Sequence, residues 1–140
     1  MLKNLKLPKK LRIAGVDYDV IPYKSRYDLQ EHCDLPGAIG AINTADCEIL
    51  ISTDVHEQSI ADTVLHEVVH GVICHYRVPI PEDLNEIVTE TLTAGLYQVF
   101  KDNPALLTLL KGGETNSKPN SVPKKVRPSK TNAASRPAEE

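Results

Sequence analysis

Residues 63–77, TVLHEVVHGVICHYR, place three polar side chains inside an otherwise apolar run. The apolar residues recur at helical spacing, so the run predicts an amphipathic helix. His66, Glu67 and His70 lie within that pattern, and burying them costs free energy unless partners satisfy them. The chain must therefore fold so that an ion or a polar group meets these side chains.

The three residues form the pattern His-Glu-x-x-His, which is typical of zinc sites in hydrolases. Residues four apart share one face of a helix, so His66 and His70 can bind one Zn²⁺ ion. Glu67 lies one step around the helix, where it can take a proton from a water activated by zinc. The alternative is a surface helix with incidental histidines, and the apolar residues around the histidines disfavour it.

A catalytic zinc ion usually has three protein ligands, and four residues are candidates for the third. In a continuous helix, His75 lies about 180° around from the first histidine and Cys74 lies about 12 Å along, so neither reaches the same ion. Glu86 and Glu90 remain, on a second helix that a short proline turn would bring back antiparallel to the first. Apolar residues flank Glu90, whereas Glu86 lies on a more polar flank. The helix pattern therefore slightly favours Glu90.

The remaining pattern predicts a small α+β domain. Residues 11–23 and 38–52 each hold two β-prone runs around a turn, so each predicts a hairpin, and together they predict a small antiparallel sheet. Residues 25–35 predict a short helix. A capping box at Asp54 and Glu57 opens the motif helix, and prolines end it before a second helix over residues 81–102. The expected core stripe of that second helix comprises Leu84, Val88, Leu92, Leu96 and Val99.

Length and charge limit the class of protein. A chain of 140 residues favours one domain, and a net charge of −3 argues against electrostatic binding of nucleic acid by the whole molecule. We expect a metallopeptidase-like domain over residues 1–111. Residues 112–140 hold four prolines and six Lys or Arg with no aromatic residue, which predicts a disordered tail. The basic stretch 118–130 is a weak indication of nucleic-acid binding, and a solvated tail is the favoured interpretation.

Cysteine usage and hydropathy indicate the compartment. Cys33, Cys47 and Cys74 are odd in number and widely spaced, which favours a reducing environment. The N-terminal residues lack the apolar core of a signal peptide, and no window is apolar enough to cross a membrane. The sequence therefore predicts a soluble cytoplasmic protein.

Several stretches of the chain resemble known zinc peptidases. LHEVVH followed by a glutamate-bearing helix resembles the gluzincin metallopeptidases, whose third ligand is a glutamate on the next helix. LKLPKKLRIAGVDYDV, TVLHEVVHGV and VTETLTAGLYQVFKDNP resemble more closely the small phage and prophage enzymes of the ImmA/IrrE-like minimal gluzincin group, over about residues 2–104. The resemblance implies a small sheet packed on a zinc-bearing helix pair. It also implies a ligand set of His66, His70 and Glu90, with Glu67 as the catalytic base.

The resemblance leaves the partner of the ligand histidines open. In the thermolysin-like pattern an aspartate that supports a ligand histidine follows the ligand glutamate by four residues, and this chain has Ala94 there. Asp62, one turn before the first histidine, is a weak substitute.

The implied function is hydrolysis of a peptide bond in a peptide or protein substrate. Glu67 would take a proton from the attacking water and pass it to the leaving amine. Tyr97 is our candidate for a second oxyanion donor, with Tyr76 and His75 as alternatives. The strand at 47–52 is either an edge that pairs with an extended peptide or an ordinary core strand. The rival function is a non-catalytic, zinc-stabilised binding module of a phage or host regulator, which would have no use for a base.

Overall fold

The computed structural model describes residues 6–112, which form four strands and four helices in an α+β arrangement. Both predicted hairpins, the short first helix and the two long helices are confirmed. The elements are β1 Lys10–Ile13, β2 Val16–Tyr23, α1 Arg26–Cys33, β3 Gly40–Asn43, β4 Glu48–Ser52, α2 Glu57–His75, α3 Glu82–Asp102 and α4 Pro104–Leu110.

The sheet is mixed, so the prediction of an antiparallel sheet is wrong. The strand order is β1-β2-β4-β3, and β2 pairs with β4 in parallel while each hairpin is internally antiparallel. The two hairpins therefore join side by side through β2 and β4. The chain that connects these two strands contains α1, and a helical crossover is the usual way to connect parallel neighbours.

The position of β4 at the centre of the sheet follows from its composition. Four of its five residues are buried, and the apolar run Ile49-Leu50-Ile51 among them is typical of a strand covered on both faces. Leu50 packs with Leu29 of α1 on one face, whereas Ile49 and Ile51 pack with Ile60 of α2 on the other. Of the two predicted roles for this strand, the structure shows the core strand, and β3 forms the edge beside it.

Two glycines allow α2 to lie directly against the sheet. A Cβ atom added at Gly71 would lie 2.8 Å from Ile42 Cδ1 and 3.0 Å from Ile13 Cδ1, which is closer than side chains normally pack. A Cβ atom at Gly40 of β3 would collide with Thr63 and would lie 3.0 Å from Glu67 Oε1. The middle of α2 is therefore fixed close to β3.

The start of α2 differs from the predicted capping box. Asp54 is not the N-cap, because its carboxylate accepts hydrogen bonds from the Arg26 backbone N–H and the Ser52 hydroxyl. His56 is the N-cap, and its Nδ1 accepts from the backbone N–H of Gln58 at 3.2 Å. Asp54 thus connects the beginning of α1 to the end of β4.

The orientation of α3 contradicts the predicted core stripe. Thr89 and Thr93 are its buried residues, at 0% and 3% exposure, and α3 packs on α2. The exposed fractions of Leu84 and Leu92 are 43% and 46%. Leu92 and Thr93 are adjacent, so their side chains point about 100° apart, and turning the threonines toward α2 turns the leucines away. Leu96 and Val99 are exposed for the same reason.

The predicted tail, residues 112–140, lies outside the described residues except for Gly112. Within residues 6–112, no helix has the combination of length and hydropathy that crossing a membrane requires.

Candidate metal centre

The two motif histidines lie one turn apart on α2 and face the same point. Their Nε2 atoms are 3.0 Å apart, and their rings meet at an interplanar angle of 77°. The exposed fractions of the two side chains are 23% for His66 and 20% for His70. The helical spacing thus brings two nitrogen donor atoms together, as the sequence predicts.

The third donor comes from Glu86 on α3. Its Oε1 lies 2.9 Å from His70 Nε2, and its Oε2 lies 3.5 Å from His66 Nε2. One ligand atom from each of these three residues falls within 4.8 Å of the others, so the group could hold a metal ion. Donors of a tetrahedral zinc site lie about 3.3 Å apart, given bond lengths of about 2.0–2.1 Å. The observed separations fit that ion.

Glu67 lies beside this group on the side of α2 that faces the sheet. Glu67 is 6% exposed, and Gly40 of β3 lies close to its side chain. Burial raises the pKa of Glu67 to about 7, and the carboxylate of Glu86 adds to that rise. A carboxyl whose pKa lies near neutrality can both accept and return a proton at physiological pH, which is what a general base requires.

Burial favours the neutral form of His70. It lowers the pKa of the imidazole, and His66 adds to that change, whereas the nearby carboxylate of Glu86 and hydrogen bonding with the Asn85 side chain oppose it. A neutral imidazole is the state that binds zinc, since a protonated ring has no free lone pair. The Nδ1 atom of His70 lies 3.4 Å from the hydroxyl of Thr89, which in turn lies 3.3 Å from Oδ1 of Asn85.

A cavity of about 1070 Å³ extends from the three donors. Its walls come from α2, α3 and the edge strand β3, and both Glu67 and the histidines lie on it. The volume is of the size that small ligands and short peptide segments occupy. Gly40, Ala41 and Ile42 supply the β3 wall.

Two of the residues proposed from the sequence are not part of the donor group. Glu90 lines the same cavity but is exposed, and its carboxylate is not among the clustered ligand atoms of residues 6–112. Tyr97 lies eleven residues beyond Glu86, about 16 Å along α3, and its ring contacts the ammonium of Lys101. It is not among the described residues that line the cavity.

Of the other residues suggested from the sequence, His75 and Tyr76 do not line the cavity, whereas Asp62 does. The Nε2 of His75 is 2.6 Å from the hydroxyl of the buried Tyr18, so this histidine joins α2 to β2. Tyr76 is 69% exposed at the end of α2. Asp62 lines the cavity, one turn before the first histidine.

The polar residues of α3 were the signal that could have identified Glu86. Asn85, Thr89 and Thr93 recur every four residues and form a stripe on one side of the helix. Glu86 precedes Thr93 by seven residues and so lies about 20° from it, whereas Glu90 lies about 60° from it. The preference for Glu90 rests on its apolar flanks and on the resemblance, and neither indicates which face of α3 packs on α2.

Comparisons of the chain with protein-family models, curated proteins and solved structures found no match. A functional assignment therefore rests on the geometry and chemistry of the residues around the three donors.

Proposed function

We propose that the protein is a zinc-dependent peptidase in which His66, His70 and Glu86 hold the ion and Glu67 is the general base. The observation that carries the proposal is the position of a buried carboxyl with a pKa of about 7 beside three clustered donors on one cavity wall. Two imidazoles and a carboxylate suit zinc, and three protein ligands leave a coordination position open for chemistry. The likeness to minimal gluzincins is part of the proposal, with Glu86 in place of Glu90.

The roles of the residues follow from their positions. When bound, zinc would supply Lewis-acid activation of a water molecule and of the scissile carbonyl. Glu67 accepts the proton of the attacking water and returns it to the leaving amine, and its burial keeps bulk water from competing for that proton. Glu86 lines the cavity, and its side chain is 67% exposed.

The cavity also supports an extended peptide as the substrate. Within residues 6–112, no strand pairs with the outer edge of β3, which lies at the end of the sheet. A peptide that hydrogen-bonds to this edge would add a strand to the sheet and pass Glu67. Gly40, Ala41 and Ile42 of this edge strand line the cavity.

The test combines metal content with hydrolysis of a peptide library by the purified full chain. We expect one zinc ion per chain and cleavage that Glu67→Gln reduces by ~10²–10⁴-fold, with zinc retained, as expected for loss of a general base. Glu57→Gln is the matched control, since Glu57 begins the same helix and is not among the residues that line the cavity. Absence of zinc from the wild type would refute the metal centre.

The rival function predicts a different outcome. A zinc-stabilised binding module would hold zinc but show no library cleavage, and Glu67→Gln would leave partner binding unchanged. Zinc without hydrolysis would therefore favour the binding module over the peptidase.

A further inference from the structure

Thr89 is the most deeply buried polar residue of α3, and it contacts a metal-site histidine from behind. It is 0% exposed, and its hydroxyl oxygen lies 3.4 Å from Nδ1 of His70. The same hydroxyl lies 3.3 Å from Oδ1 of Asn85, one turn earlier on the helix. The opposite ring nitrogen of His70, Nε2, is the one that faces His66 and Glu86.

The two contacts of the hydroxyl have opposite chemical requirements. The amide oxygen of Asn85 can only accept, so it takes the hydroxyl proton of Thr89. The hydroxyl oxygen then has lone pairs available for an N–H donor. A neutral histidine that binds an ion through Nε2 carries its proton on Nδ1, which is the atom that lies 3.4 Å from the hydroxyl oxygen of Thr89.

We propose that Thr89 is the positioning residue of the metal site: its hydroxyl accepts the Nδ1 proton of His70 and leaves Nε2 free to bind the ion. Asn85 accepts the hydroxyl proton of Thr89, which leaves the hydroxyl oxygen free to accept from His70. Thr89 in turn holds the His70 ring in one orientation. Metal-binding histidines generally need such a partner on the second nitrogen. In the thermolysin-like pattern, an aspartate four residues after the ligand glutamate supports a ligand histidine, and counted from Glu90 this chain has Ala94 there. Thr89 supports His70 from a different position on α3.

The proposal rests on the metal centre and not on the peptidase activity. Thr93 makes a matched comparison, because it is the same residue type one turn further along α3 and is 3% exposed. Its hydroxyl oxygen has no hydrogen-bond partner among residues 6–112. Thr89 and Thr93 therefore differ in their contact with the histidine rather than in burial.

The experiment measures the zinc affinity of the full chain by competition with a chromogenic chelator, for the wild type, Thr89→Val, Thr89→Ser and Thr93→Val. We expect Thr89→Val to weaken zinc binding 10–100-fold, the range typical for loss of a ligand's supporting partner. Thr89→Ser restores the hydroxyl and should bind within a few-fold of the wild type. Thr93→Val should not change the affinity.

A second measurement can still refute the proposal if Thr89→Val fails to fold. Long-range proton–nitrogen NMR of the zinc-loaded wild type should show His70 bound through Nε2 and protonated at Nδ1. Zinc bound through Nδ1 would overturn the proposal.

The outcomes separate this inference from the metal centre itself. A wild type that binds no zinc would refute both. If the wild type binds zinc and Thr89→Val binds it equally well, Thr89 has no positioning role while the metal centre stands. If Thr89→Ser and Thr89→Val weaken zinc binding equally, the positioning role of Thr89 is also refuted, because the hydroxyl would then not affect the affinity. Melting curves in chelator show whether Thr89→Val lowers metal-free stability, and lower stability with unchanged affinity would mean a structural role alone.

Discussion

Replacement of Glu67 by glutamine should stabilise the metal-free protein above pH 7. The carboxyl of Glu67 is buried against the sheet, and burial raises its pKa from the ordinary value of 4.5 to about 7. The folded state therefore binds this proton more tightly than the unfolded state. Stability that is present below pH 4.5 is lost as the pH rises through 7, because the buried group must ionise.

The size of the effect follows from the difference in pKa. One pKa unit corresponds to about 1.36 kcal/mol, so a rise from 4.5 to about 7 corresponds to a loss of about 3 kcal/mol by pH 8. Glutamine has nearly the same shape and does not titrate. The difference in unfolding free energy between Glu67→Gln and the wild type should therefore grow by about 3 kcal/mol between pH 4.5 and pH 8.

The assay is urea denaturation in the presence of chelator at a series of pH values. His70, whose pKa is lowered by burial, titrates in both proteins, so its contribution cancels in the difference. Glu57→Gln, a change outside the described cavity wall, is the matched control. A difference that does not depend on pH would refute the argument that Glu67 is held in a low-dielectric site.

Three further predictions test the geometry. Glu86→Ala should lose zinc while Glu90→Ala retains it, by metal analysis, because Glu86 approaches both histidines; the reverse result would restore the preference from the sequence. Gly40→Ala should destabilise the protein by about 1–3 kcal/mol and reduce hydrolysis, since the methyl group would meet Glu67. If Gly40→Ala changed neither the rate of hydrolysis nor the unfolding free energy, β3 would be able to move and accommodate the methyl group. Leu92→Glu should change stability by less than about 0.5 kcal/mol, because the side chain is 46% exposed, and a loss above ~2 kcal/mol would place it in a core.

Local patterns predicted the elements well. The turn at Ala14 and Gly15, the prolines after α2 and the apolar spacing of α2 each depend on neighbours in sequence, and the corresponding hairpin and helices are present. The pairing of β2 with β4 could not be predicted in the same way. It joins strands separated by a helix and another strand, and either strand could equally have remained an edge.

The environment of Glu67 was also only partly predictable. The motif assigned it a catalytic role, but its pKa depends on how deeply α2 sinks into the sheet. That depth is set by Gly40 and Gly71, whose missing side chains let the strands approach the helix. A glycine in a strand pattern often marks close backbone approach, although its partner cannot be identified from the sequence.

The face of α3 that packs on α2 is where chemistry and hydrophobic burial conflict. Adjacent positions on a helix point about 100° apart, so α3 cannot turn both Leu92 and Thr93 fully toward α2. Turning Leu92 inward would bury more apolar surface, but it would rotate Glu86 away from the two histidines, since Glu86 lies about 20° from Thr93. The structure buries the threonines and exposes the leucine. Hydrophobic periodicity gave the positions of α2 and α3 correctly, but it fails on this face, where the carboxylate of Glu86 and the hydroxyl of Thr89 lie beside the histidines.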